Sequence, residues 1–289
     1  MYENARKILL PATHRSGHHA VGVWLLHQAE GVDDFNIQTI ADWWNYLKVK
    51  GGLRFFFNNV LKDWPFAPTD IVVSDGGVYV SVGARHWNSG SPGLVPAGVS
   101  GETMIKIGDH SHKDIEMFIG THEQETLKDA VWRADKASLF YKADMILIIR
   151  SFHNWVASCL KYSRNMKVRG PIWAEPFSET NIGVYIEHCN HAIKGTVPFI
   201  LYDEWFASKH YRKEIAESLE LHFTDTAINQ TSSWGNGSSF DGFDYLKNAS
   251  EMDVLNRYKK MEDDEEYQQV IQDNEEAIDL SNQLFGKAS

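Results

Sequence analysis

The stretch Lys7-Ile8-Leu9-Leu10-Pro11-Ala12-Thr13-His14-Arg15-Ser16-Gly17-His18-His19-Ala20-Val21 reads as a buried strand, a tight polar turn and the opening of a helix. A strand that feeds a helix through a short Gly-containing loop aims several free backbone N–H groups at one point, and the helix dipole adds positive potential there. Arg15 brings full charge and a bidentate fork, Ser16 a hydroxyl, and His18 and His19 imidazole donors on the first helical turn. Such a turn is an anion cradle, and a nucleotide rich in phosphate is the expected ligand.

A second segment has the same plan. Ala143-Asp144-Met145-Ile146-Leu147-Ile148-Ile149-Arg150-Ser151-Phe152-His153-Asn154-Trp155-Val156-Ala157-Ser158 is an apolar strand ending in Arg150, with Ser158 eight positions later, two turns into the next helix. Between these segments and beyond them, strand-like runs alternate with helical ones. Strands are expected at 7–11, 69–74, 116–120, 145–150 and 197–202, and helices at 17–30, 124–134, 155–164, 182–194 and 208–219. That alternation predicts an α/β fold with a central parallel sheet covered on both faces, and in such sheets functional residues gather at the carboxyl ends of strands.

Together the two segments resemble the nucleotide-binding elements of sulfotransferases that use 3'-phosphoadenosine-5'-phosphosulfate. In that family the first strand-loop-helix holds the 5'-phosphosulfate, commonly as Lys-Ser-Gly-Thr-Thr or Arg-Ser-Gly-Thr-Thr. Here it stands as Arg15-Ser16-Gly17-His18-His19. The second element holds the 3'-phosphate through an Arg and a Ser spaced as Arg150 and Ser158 are. The resemblance implies a three-layer α/β/α fold of the P-loop nucleoside triphosphate hydrolase type. It also implies transfer of a sulfuryl group to a hydroxyl or amine of a small-molecule or glycan acceptor, with no metal.

The resemblance extends to a catalytic base. In cytosolic sulfotransferases a His in a Lys-Thr-His element ends a strand between the two phosphate elements, and Thr121-His122 matches it in kind and order, with Gly120 in place of the Lys. Other branches use a Glu, which makes Glu123 the rival. A His titrates near neutral pH without help, whereas a Glu must be raised by burial to act as a base there. The alternative for both residues is to cap the helix expected to begin near Gln124. The pair His110 and His112 is a further candidate base, and is otherwise read as part of a polar loop. Arg15 acts in this scheme on the transferred group as well as on the nucleotide.

A late loop, Ser232 to Gly242, resembles the Gly-rich loop that closes over the nucleotide in this family, with Gly235, Gly237 and Ser238 offering backbone donors and a hydroxyl. It lacks the basic residues usual there, and a solvent-exposed turn is the competing reading. Two other functions remain open. One is a small-molecule kinase with an atypical phosphate loop, against which stands the lack of a Gly-x-x-x-x-Gly-Lys-Ser/Thr pattern around Arg15. The other is a non-catalytic nucleotide-binding module.

Composition frames these readings. A chain of 289 residues with 43% hydrophobic and 12% aromatic residues can bury a full core, and a single domain over 1–289 is expected. Residues 35–101, with Trp43-Trp44, Phe55-Phe56-Phe57 and a Gly, Ser and Pro-rich stretch, read as an acceptor-binding insert or lid, or else as an aromatic cover for one sheet edge. Residues 251–285 read as an amphipathic helical extension docked on the globule, whose acidic run Glu262 to Glu266 suits the positive end of a helix. In that extension Arg257 and Lys259 could reach a phosphate, with surface ion pairing as the commoner fate of such residues. The net charge of −11 argues against nucleic acid or an anionic membrane as partner. Cys159 and Cys189 lack metal-ligand spacing and read as buried thiols. With no signal-peptide region and no apolar run near the ~20 residues of a membrane span, a cytoplasmic setting is expected.

Overall fold

A computed structural model describes residues 6–28, 66–74, 77–84, 115–123, 126–128, 130–131, 143–167, 179–229, 238–241, 244–245 and 248–286. Its strands are β1 (Arg6–Ala12), β2 (Phe66–Ser74), β3 (Gly77–Ala84), β4 (Ile115–Glu123), β5 (Asp144–Met145), β6 (Leu147–Ile149) and β7 (Phe199–Leu201). The helices are α1 (His18–Leu26), α2 (Phe152–Lys167), α3 (Glu179–Ile193), α4 (Tyr202–Ala207), α5 (Lys209–Ser218), α6 (Glu265–Gln272) and α7 (Glu275–Phe285).

All seven strands join one sheet in the order β2-β3-β4-β1-β6-β7, with β5 also paired to β1. β5 and β6 are two pieces of one strand running alongside β1, the Ile146 N–H between them donating to the Leu9 carbonyl at 2.9 Å. From β3 to β7 every pairing is parallel. β2 departs from the expected parallel sheet, for it pairs antiparallel with β3. Its register runs from Phe66 opposite Ala84 to Ser74 opposite Gly77, and a link of two residues can join only antiparallel neighbours. Part of the stretch read as an insert or lid is therefore the edge of the sheet, while the rest of 35–65 and 85–101 lies outside the described residues.

The strands explain the layers. β1 sits at the sheet centre, so its run of apolar residues is buried on both faces instead of alternating with polar ones. Ile8, Leu10, Ala12, Ile146, Ile148 and Ile200 point to one side, where they pack with Val21 and Trp24 of α1, Trp205 of α4 and Ile215 of α5. Leu147 and Ile149 point to the other, against Trp155 and Leu160 of α2, Tyr185 and Cys189 of α3, Tyr267 of α6 and Ala277 of α7. The side-chain period of two along a strand thus divides the core into two halves and gives helix, sheet and helix layers.

The expected last strand stops earlier than its apolar run. Tyr202 opens α4, with Asp203 and Glu204 in the first turn where negative charge favours a helix start. The C-terminal extension does hold two docked helices, α6 and α7, but residues 251–261 ahead of them are short turns and extended chain. Asp264 begins α6 by accepting the Tyr267 N–H at 3.0 Å, and Arg164 of α2 bridges Asp264 and Glu266. The acidic run is a helix start, as its composition suggests. Cys159 and Cys189 are both buried free thiols. Among the described residues no helix is long and apolar enough to cross a membrane.

Candidate anion-binding site

The loop from Thr13 to Gly17 leaves the carboxyl end of the central strand and is pinned by its own turn and by α2. The Ser16 N–H donates to the Thr13 carbonyl at 3.1 Å. On the α2 side, Trp155 Nε1 donates to the His14 carbonyl at 2.7 Å, and the Cys159 thiol reaches the same oxygen at 3.5 Å. Arg15 takes a left-handed conformation, φ 63°, and Gly17 does likewise at φ 94°. Gly17 is required twice over, because a Cβ there would lie 2.1 Å from a ring carbon of Tyr202. That close approach lets the Tyr202 ring wall the loop.

On the first turn of α1, which carries no acidic residue, His18 and His19 diverge. His18 is buried with Nδ1 3.3 Å from the Ser16 hydroxyl, and His19 is half-buried with its ring centroid 4.1 Å from that of His18. Ser16 is itself fully buried.

The second element meets the first. Arg150, only 2% exposed, donates through Nη1 to the Ser158 hydroxyl at 2.8 Å and to the Arg15 carbonyl at 3.3 Å, and through Nη2 to the Val254 carbonyl at 3.0 Å. Its guanidinium lies 5.2 Å from the Tyr202 ring centre, and its Nε is 3.8 Å from Asp203. Spacing along the chain explains the Arg–Ser contact: Arg150 ends the strand, and Ser158 follows two turns along α2 on the face that looks back at it.

Arg257 completes the site, and its burial rules out surface ion pairing, the commoner of the two fates its sequence left open. It is 5% exposed, donates to Ser158 Oγ at 3.4 Å, to Ser238 Oγ at 2.6 Å and to Asp241 Oδ2 at 3.2 Å, and its buried Nε has no hydrogen-bond partner. Burial, reinforced by the charge of Arg150, pushes its pKa down to about 10, which leaves it a cation at neutral pH. The short helical turn Arg257–Met261 carries it against α2. A single Arg among acids and lysines gives no local sequence signal of this.

Arg15 reaches the late loop, donating to the Ser239 hydroxyl at 2.7 Å while its guanidinium covers the Tyr162 ring. Of the three residues expected to bind from that loop, Ser238 is in the site, while Gly235 and Gly237 lie outside the described residues. Residues 122 and 123 stand at the carboxyl end of β4, in register with Pro11 and Ala12 at the end of β1. They are thus beside the loop as strand positions. The candidates His110 and His112 lie outside the described residues.

Three guanidiniums, from Arg15, Arg150 and Arg257, therefore converge with Ser16, Ser158, Ser238 and Ser239 about the end of the central strand. Guanidiniums packed so closely repel one another unless anions stand among them, and the carboxylates at hand are Asp203 and Asp241. The arrangement suits a ligand with more than one strongly anionic group. The chain matches no family model and no curated protein.

Proposed function

We propose that the protein is a sulfotransferase, moving a sulfuryl group from 3'-phosphoadenosine-5'-phosphosulfate to a hydroxyl or amine of a small-molecule or glycan acceptor. The observation that carries this reading is the hydrogen bond from Arg150 to the backbone oxygen of Arg15. It brings the element expected to hold a 3'-phosphate against the element expected to hold a 5'-phosphosulfate, so one adenosine can span both. Arg257, converging on Ser158 from the tail, supplies the basic group that the late loop lacks.

In this scheme Arg15, Ser16, Gly17, His18 and His19 hold the phosphosulfate, with Gly235, Gly237 and Ser238 as further contacts of the late loop. Arg150, Ser158 and Arg257 hold the 3'-phosphate. Sulfuryl transfer is an in-line displacement: the acceptor oxygen or nitrogen bonds to sulfur, the bond from sulfur to the phosphate oxygen breaks, and adenosine 3',5'-bisphosphate leaves. Cations at the loop stabilise the negative charge that builds on the leaving phosphate. A base takes the acceptor proton, and His122 is the residue we assign, with Glu123 as the rival at the next position. No metal takes part in this scheme.

The test is selective stabilisation. Adenosine 3',5'-bisphosphate is expected to raise the melting temperature without divalent ions and more than 5'-AMP does. Stabilisation by ATP that depends on Mg²⁺, with none by the bisphosphate, would identify a phosphotransferase instead. Binding without transfer to any acceptor would leave a nucleotide-binding module.

A further inference from the structure

Arg150 and Arg257 each face a carboxylate, and the two carboxylates are anchored differently. Asp203 is fixed to another element, its Oδ2 accepting the Ser151 N–H at the start of α2 at 2.9 Å. Asp241 takes its hydrogen bonds from Ser238 Oγ, three residues away in the same turn, at 2.7 Å, and from Arg257 Nη2 at 3.2 Å. The same turn is closed by the Phe240 and Asp241 N–H groups, which donate to Ser238 Oγ at 3.2 and 3.1 Å. Its Ser239 hydroxyl accepts from Arg15. A four-residue unit, Ser238 to Asp241, thus occupies two of the three guanidiniums at once.

We infer that Asp241 is an exchangeable counter-ion, competing with the ligand's phosphate for Nη2 of Arg257 and so setting the charge a ligand must bring. This rests on the reading of Arg257 as a 3'-phosphate contact. Carboxylate and phosphate oxygens approach a guanidinium edge along the same directions, so they exclude each other there. A phosphate monoester carries close to two negative charges and a carboxylate one, so the phosphate prevails beside three guanidiniums. A hydroxyl or a single carboxylate does not.

Calorimetric titration of the full chain with adenosine 3',5'-bisphosphate and with 5'-AMP decides the point. Asp241→Asn should tighten bisphosphate binding by about tenfold, the scale of one charge-assisted hydrogen bond no longer contested, and leave 5'-AMP binding unchanged. Should that variant not fold, Asp241→Ser, smaller and equally neutral, carries the same expectation. Unchanged or weaker bisphosphate binding in a folded variant overturns the inference, because Asp241 would then position Arg257 instead of competing for it. Failure of both variants to fold also overturns it, by making the pair a structural necessity. No bisphosphate binding by the wild type removes the functional reading and this inference with it, whereas wild-type binding without a gain in the variants removes this inference alone.

Discussion

Arg150 donates a hydrogen bond to the backbone oxygen of Arg15, a residue 135 positions earlier, at 3.3 Å. A carbonyl that accepts from a buried guanidinium is held in one orientation, and the peptide on either side of it is held too. The second strand-helix element thereby shapes the loop of the first. Replacing Arg150 with Ala is expected to weaken adenosine 3',5'-bisphosphate binding by about 10- to 100-fold, the range for losing one or two hydrogen bonds to a charged group. Binding of 5'-AMP should fall much less. Equal losses for the two nucleotides, measured by calorimetry, would remove the 3'-phosphate assignment. Arg150→Lys should recover charge but not the three-way hydrogen bonding, and so only part of the affinity.

Gly17→Ala places a methyl group 2.1 Å from the Tyr202 ring in a left-handed backbone position. Overpacking and backbone strain together should cost about 2–5 kcal/mol of stability, read by urea unfolding. Tyr202→Ala in the same chain should remove the collision but not the strain. The double variant is therefore expected to be more stable than the two single losses added together. Strict additivity would mean that the ring does not wall the loop.

His27, 2% exposed with a buried Nδ1 that lacks a hydrogen-bond partner, has its pKa held down to about 4 by burial, from an ordinary value of 6.5. The folded state disfavours its protonation, so its contribution to stability is complete above pH 6.5 and is lost as the pH falls toward 4. The loss amounts to about 3 kcal/mol at most. His27→Leu should flatten the fall in melting temperature between those pH values. A fall as steep as the wild type's would assign the acid sensitivity to other groups.

His122 stands at the end of β4 opposite Pro11, and its replacement by Ala should lower turnover by about 10²- to 10⁴-fold, the usual contribution of a general base. Bisphosphate affinity should be unchanged, since in the proposed scheme the base acts on the acceptor and not on the nucleotide. Glu123→Ala is expected to have the smaller effect on turnover. The reverse order would transfer the assignment to Glu123.

How much of this was legible beforehand depended on the distance over which each feature is decided. β1, β6 and α2 announce themselves in uninterrupted or periodic apolar runs, because a central strand and its flanking helix are specified by their own neighbours in sequence. The Arg150–Ser158 contact was readable for the same reason, both residues lying within one strand-helix unit. β3, in contrast, was missed although its Val78-Tyr79-Val80-Ser81-Val82 run is rich in strand-forming residues, because the Gly and Pro-rich stretch beginning at Gly83 drew the whole region into the insert. Tyr202 continues an apolar run yet begins a helix, since the acids that follow it favour a helix start. Arg257 could be named as able to reach a phosphate but not singled out over surface pairing, because its burial comes from packing against α2, about a hundred positions away, and against the Ser238–Asp241 turn.

The three arginines stand at positions 15, 150 and 257, so their meeting ties the first strand, the middle of the chain and its tail together. While the chain emerges from the ribosome, the loop after β1 and the strand before α2 are available long before the tail turn that carries Arg257. A growing polypeptide accordingly has no complete triad until synthesis has passed that turn and it has docked. The convergence of the three guanidiniums is thus a property of the described fold as a whole and not of any one segment.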